Sequence, residues 1–165
     1  MEEYLMPIIN IQLTASITEN EATEIAQRST TIMGEILGKD TNLTAVAITR
    51  IKKQHWFINN TSLSNNKTES ALANIKISQN SNSTAQKSAA ISAFYSLLDE
   101  IAGPLDNTSY VALEELPITD WGYGGKTQAA RKTKRTETGA VDTDYYIQQG
   151  KKQRAKSFLN LFQSI

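Results

Sequence analysis

Met6-Pro7-Ile8-Ile9-Asn10-Ile11-Gln12-Leu13 is the stretch from which the fold can be worked outward. Ile9, Ile11 and Leu13 alternate with Asn10 and Gln12, the period of two that buries one face of a strand. Proline is accepted at the first residue of a strand, so Pro7 reads first as a strand-start or edge residue. It also has a chemical reading. If Met6 is the initiator and is removed, Pro7 becomes a secondary amine, a base with a pKa near ~8 that burial brings to about 7. If Met1 is the start, the same nitrogen is an amide and no base at all.

Downstream, Thr18 and Glu21 form a capping box, each satisfying a free donor of the other at a helix start. Ala22, Ile25, Ala26, Ile32, Met33, Ile36 and Leu37 then fall on one helical stripe. Gly38 is expected to end the helix in the left-handed conformation. Residues 43–51, rich in β-branched side chains, read as a second strand. A strand, a crossover helix and a strand make a βαβ unit with parallel strands. His55-Trp56-Phe57-Ile58 reads as a short strand and residues 59–68 as a polar loop.

The pattern then recurs at an offset of 65. Thr18 and Glu21 map to Ser83 and Gln86, a second capping box. Ile25, Ile32, Met33 and Ile36 map to Ala90, Leu97, Leu98 and Ile101. Gly38 maps to Gly103, Trp56 to Trp121, and Asn59-Asn60 to Gly124-Gly125. The offset slips by one in the opening strand, where Ile9 and Ile11 match Ile75 and Ile77. Caps, stripe, terminating glycine and tryptophan in one register indicate a duplicated unit, about residues 7–66 and 73–130. Two βαβ units give an α/β (α+β) fold: a four-stranded sheet with both helices on one face. The other face is bare, and other copies of the chain are the simplest cover for it.

Composition narrows the chemistry. The chain has 165 residues and no cysteine, which excludes disulfides and thiolate catalysis; a single histidine, His55, excludes a multi-histidine metal site. No cofactor is expected. There is no run of 18 apolar residues and no visible signal peptide, so the cytosol is the expected compartment. The zero net charge is uneven: residues 1–130 carry 9 Lys+Arg against 14 Asp+Glu, net −5, and residues 131–165 carry 8 against 3, net +5. An acidic body, 6–130, is therefore followed by a linker, 131–142, and a basic amphipathic helix, 143–165. In that helix Ile147, Ala155, Phe158, Phe162 and Ile165 share a face, beside a basic cluster of Lys151, Lys152, Arg154 and Lys156. It reads as a solvated helix packed on the body, or one that binds a partner or a membrane surface. Nucleic-acid binding is not expected of an acidic body.

Met6-Pro7-Ile8-Ile9, Gly38-Lys39 before the second strand, and the run from Tyr110-Val111-Ala112-Leu113-Glu114-Glu115-Leu116-Pro117 to Asp120-Trp121-Gly122-Tyr123-Gly124-Gly125 resemble the tautomerase superfamily, which includes 4-oxalocrotonate tautomerase and macrophage migration inhibitory factor. The resemblance covers about residues 6–130, and the closing run is its most specific part. It implies a homotrimer whose sheets face a central axis. It also implies keto–enol tautomerisation of a small 2-keto acid by an amino-terminal proline. On that resemblance Pro7 matches the base and Lys39 a lysine that helps form the pocket. Tyr110 lies near a pocket tyrosine given by a neighbouring subunit, and Trp121 resembles an aromatic residue that lines the pocket. The pair of arginines that binds dicarboxylates in one branch is absent, with Ile17 and either Ala47 or Tyr110 in those places; Arg50 substitutes only if it faces the pocket. The alternative is a non-catalytic trimeric scaffold that displays the basic helices.

Overall fold

The computed structural model describes residues 6–133 and 142–162. The chain divides into two compact units, Met1–Gln128 and Ala129–Ile165. The first holds β1 (Ile8–Leu13), α1 (Glu19–Glu35), β2 (Ala45–Arg50), β3 (Phe57–Ile58), β4 (Thr61–Ser62), β5 (Ala71–Ser78), α2 (Thr84–Ala102), β6 (Tyr110–Leu116), β7 (Gly122–Tyr123) and β8 (Lys126–Thr127). A short α3 (Gln128–Lys132) follows, and the second unit contains α4 (Thr143–Phe162).

Four strands form one sheet in the order β2-β1-β5-β6. Each βαβ unit is parallel, as the crossover helices require. The two units meet through an antiparallel pairing of β1 with β5. In that ladder Ile9 lies opposite Ile75, its own counterpart at the slipped offset, so the pseudo-twofold of the repeat passes between them. Both are fully buried. Ile9, Ile11 and Leu13 share the core with Ala71, Ala73, Ile75 and Ile77 of β5, Ile25 and Met33 of α1, and Phe94 and Leu98 of α2. Both helices therefore cover the same face. Each fully buried aliphatic side chain there contributes roughly 1.5–3 kcal/mol over its exposed state.

The opposite face is mixed rather than apolar. Register puts Ala45, Ile8, Lys76 and Glu114 in one row, Ala47, Asn10, Asn74 and Ala112 in the next, and Thr49, Gln12, Leu72 and Tyr110 in a third. Lys76 and Glu114 form an ion pair at 3.6 Å, and Tyr110 is 64 % exposed.

Both capping boxes form. Glu21 N donates to Thr18 Oγ1 at 3.2 Å and Thr18 N to Glu21 Oε2 at 2.7 Å; Gln86 N donates to Ser83 Oγ at 3.2 Å and Ser83 N to Gln86 Oε1 at 3.0 Å. The repeat extends to the hairpins. Asn59-Asn60 and Gly124-Gly125 all have positive φ and close β3–β4 and β7–β8 as two-residue turns. The segment expected as a plain loop thus contains β4, and the short strand expected from His55 begins at Phe57, because Lys53–His55 is a 3-10 turn. Gly38 has φ +62°, but its counterpart Gly103 is extended. Gly103 is needed for another reason: a Cβ there would collide with the Asp99 backbone.

In the second unit Tyr145 N donates to Asp142 Oδ1 at 2.9 Å, which holds the first turn of α4. Ile147, Lys151, Lys152 and Arg154 are exposed. The side chains of Lys156, Phe158, Phe162 and Ile165, and residues 134–141 of the expected linker, lie outside the described residues; Arg131 and Lys132 are helical, in α3. No described helix is long and apolar enough to cross a membrane.

The two caps differ in one testable way. The N–H of Thr18 holds the Glu21 carboxyl below its ordinary value of 4.5, whereas Gln86 does not titrate. A carboxyl with a lowered folded-state pKa stabilises above its unfolded pKa and stops doing so as pH falls through the folded one. Thr18→Ala also removes the hydroxyl that donates to Glu21 Oε2 at 2.8 Å, so it should destabilise at pH 7 and lose part of that effect below pH 4.5. Ser83→Ala should cost about 1 kcal/mol at both pH values. Urea melts at pH 7 and 3.5 check this; a pH-independent Thr18→Ala effect would contradict it.

Candidate active site

β1 and β2 start, and β5 and β6 end, at the same edge of the sheet, because Ile8 pairs with Ala45 and Lys76, and Lys76 with Glu114. Pro7 lies at that edge, one residue before β1, and is buried. Its carbonyl accepts the N–H of Ala45 at 3.3 Å, which ties it to the start of β2. Its nitrogen is acylated by Met6, whose carbonyl accepts the Gln128 Nε2–H at 3.2 Å.

Lys39 comes to the same edge through the end of α1. Gly38 turns left-handed, and the Lys39 N–H donates back to Met33 O at 2.9 Å. The side chain is 7 % exposed, and Nζ donates to Ser81 Oγ at 2.8 Å. Ser81 passes the interaction on, its hydroxyl donating to Ser78 O at 2.5 Å at the end of β5. A buried ammonium is costly unless it is hydrogen-bonded. On β6, Glu115 is half-buried and paired with Lys87 of α2 at 3.0 Å.

Trp121 joins this edge through the backbone: its carbonyl accepts the N–H of Gln128 at 3.0 Å, and its own Nε1 is buried with no partner among the described residues. Tyr110 does not join it. It pairs in register with Leu72, which is opposite Gln12, five residues along β1 from Pro7, so it lies about 17 Å away along the strand axis alone at ~3.3 Å per residue. Arg50 pairs with Leu13 at the same far end and is exposed, so within one chain it does not reach Pro7. Ile17 packs against the core.

Among the described residues, only one of the two pseudo-equivalent edges carries this set of side chains. The counterpart of Pro7 is Ala73, inside β5, and that of Lys39 is Pro104. Sequence reasoning missed Ser81 and Gln128. Ser81 gives no signal in a polar turn. Gln128 does, because its counterpart is Leu63: a polar residue stands where the repeat calls for an apolar one. The carboxyls of Glu100 and Asp106 are pushed down by the Arg28 guanidinium and by the N–H of Thr108, and both are surface pairs rather than parts of this edge. No cluster of metal-ligating side chains occurs among the described residues.

No protein-family model and no curated protein sequence matches the chain. Solved structures do. A macrophage migration inhibitory factor-like protein from Entamoeba histolytica is 26 % identical, with 74 % of this chain and 98 % of that one covered and a TM-score of 0.62. A fused 4-OT, described as a symmetric trimer, is 16 % identical over 76 % of this chain and 98 % of its own, TM-score 0.67. A protein crystallised after inactivation by 2-oxo-3-pentynoate is 17 % identical over 76 % and 98 %, TM-score 0.66.

Lys39 and Ser81 should behave as a coupled pair. Ser81→Ala should cost about 1.5 kcal/mol in denaturant melts when Lys39 is present, and much less in a Lys39→Met background. Additive losses in that cycle would mean that the hydrogen bond carries no stability.

Proposed function

Taking the chain as tautomerase-like in fold, we propose that the form beginning at Pro7 is a tautomerase acting on a small 2-keto acid. The observation that carries this reading is the meeting of a buried proline at a strand start with a buried lysine at the same sheet edge. The neutral Pro7 amine takes a proton from the carbon next to the keto group. The C–H electron pair becomes the C2–C3 double bond, and the carbonyl pair moves onto oxygen. The prolinium then returns a proton to that oxygen, or to a carbon further along. Lys39 holds the carboxylate, an interaction made equally before and during proton transfer. Trp121 lines the pocket. Tyr110, exposed and far from Pro7 in its own chain, serves the pocket of a neighbouring copy in a homotrimer built on the open sheet face. The inactivation of a similar fold by 2-oxo-3-pentynoate, itself a 2-keto acid, supports the substrate class.

A second reading, a non-catalytic trimeric scaffold, draws on two observations. Any residue retained before Pro7 turns its nitrogen into an amide. The second unit is compact in its own right and exposes Lys151, Lys152 and Arg154.

Three forms separate the readings: a chain starting at Met1, one starting at Pro7, and the latter with Pro7→Ala. The Pro7 form should turn over phenylenolpyruvate roughly 10²-fold faster than the Met1 form, and Pro7→Ala, which keeps a terminal amine, should retain part of that rate. In the Pro7 form Lys39→Met should raise KM roughly tenfold with little change in kcat. Equal rates for the Met1 and Pro7 forms would refute the mechanism. Under either reading a chain ending at Lys132 should stay folded and trimeric by light scattering at micromolar concentration. A monomer would contradict the trimer, and unfolding would make residues 133–165 part of the folded core.

A further inference from the structure

Gln128 is a buried polar residue that the mechanism above leaves unused. Its side chain is 1 % exposed, Nε2 donates to Met6 O at 3.2 Å, and Oε1 has no partner among the described residues. Packing does not ask for an amide here. At the equivalent position of the first hairpin stands Leu63, also fully buried. The two are held by the same backbone bond, Leu63 N to Trp56 O at 2.9 Å and Gln128 N to Trp121 O at 3.0 Å. Leucine therefore suits this frame, and the amide occurs at the hairpin beside Pro7.

The oxygen that Gln128 holds belongs to the peptide bond of the proposed base. Oxygen and nitrogen of one amide lie about 2.3 Å apart, so Gln128 Nε2 is no more than about 5.5 Å from Pro7 N. Loss of Met6 removes that acceptor and leaves an N–H aimed at the space before the new amine. The Met6 carbonyl then stands in for a carbonyl oxygen of a bound molecule.

We infer that Gln128 is a catalytic residue of the Pro7-terminal chain, donating a hydrogen bond to the C2 oxygen of a 2-keto acid. The inference rests on the tautomerase reading. As Pro7 removes the C3 proton, the carbonyl π pair moves onto this oxygen, and the Gln128 N–H meets the negative charge. A proton from the prolinium then completes the enol, and in the reverse direction the same donor polarises the forming carbonyl. Lys39 thus serves the carboxylate and Gln128 the keto oxygen, which separates acid recognition from keto recognition.

The test uses the full chain beginning at Pro7, with and without Gln128→Leu, and Gln128→Met as a second donor-free variant should leucine fail to fold. Turnover of phenylenolpyruvate is split into kcat and KM. Calorimetry compares phenylpyruvate with cinnamate, which keeps the ring and carboxylate but has no oxygen on C2. The inference predicts a roughly 10²-fold fall in kcat, partial rescue by Gln128→Asn, and phenylpyruvate binding weakened roughly tenfold while cinnamate binding holds. An active parent whose kcat survives the substitution, or equal weakening of both ligands, overturns the role of Gln128 and leaves the Pro7 reading standing. An inactive parent that still binds phenylpyruvate through Gln128 overturns the tautomerase reading and keeps the keto-oxygen contact. An inactive parent with no Gln128-dependent binding overturns both.

Discussion

The antiparallel pairing of β1 with β5 is the constraint on which the rest of the first unit depends. Each βαβ unit alone would leave a two-stranded parallel pair under one helix, too small to bury its apolar face. Joining the two at Ile9 and Ile75 makes one sheet, brings both helices to one side, and merges their stripes into one core. A one-residue slip would turn every core side chain of β1 to the open face. The buried Ile9, Ile11 and Leu13 against the half-exposed Ile8 and Asn10 set that register.

The same pairing decides where chemistry can sit. A pseudo-twofold gives two equivalent edges, but the chain enters the sheet at only one of them. There Pro7 starts a strand, whereas its counterpart Ala73 continues one. The polar residues follow this difference. Lys39 stands against Pro104, and Gln128 against Leu63, so each departure from the repeat falls at the edge where the proline is. A duplicated frame in which a polar departure from each copy meets at one edge separates what the fold needs from what a site needs.

Much of the frame was legible in the sequence because its signals are local. Capping boxes, helical stripes and the two-residue turns at Asn59-Asn60 and Gly124-Gly125 depend on neighbours within a few residues. The direction of the central pairing was not legible, since no local pattern records how two units meet. Gly103 ends α2, as its match to Gly38 implies, but its backbone is extended and its role is close approach to Asp99. Of the site, Pro7 and Lys39 were readable as candidates, and the structure brings them to one edge. Ser81 was hidden because a serine in a turn carries no signal, and Gln128 because its meaning appears only beside Leu63 and Met6. The open face, bare of helices as expected, carries Asn10, Asn74 and the Lys76–Glu114 pair.

The chemistry turns on the state of one nitrogen. On the proposed mechanism a free Pro7 amine is the base, whereas an amide nitrogen has no lone pair to offer. On that proposal the Lys39 ammonium and the Gln128 amide contribute to turnover only if that amine exists. The direct measurement is therefore the amino-terminal residue of the protein purified from its own cells, by intact mass and terminal sequencing. The tautomerase account predicts a chain that begins at Pro7. A mature chain that retains Met6 would contradict it.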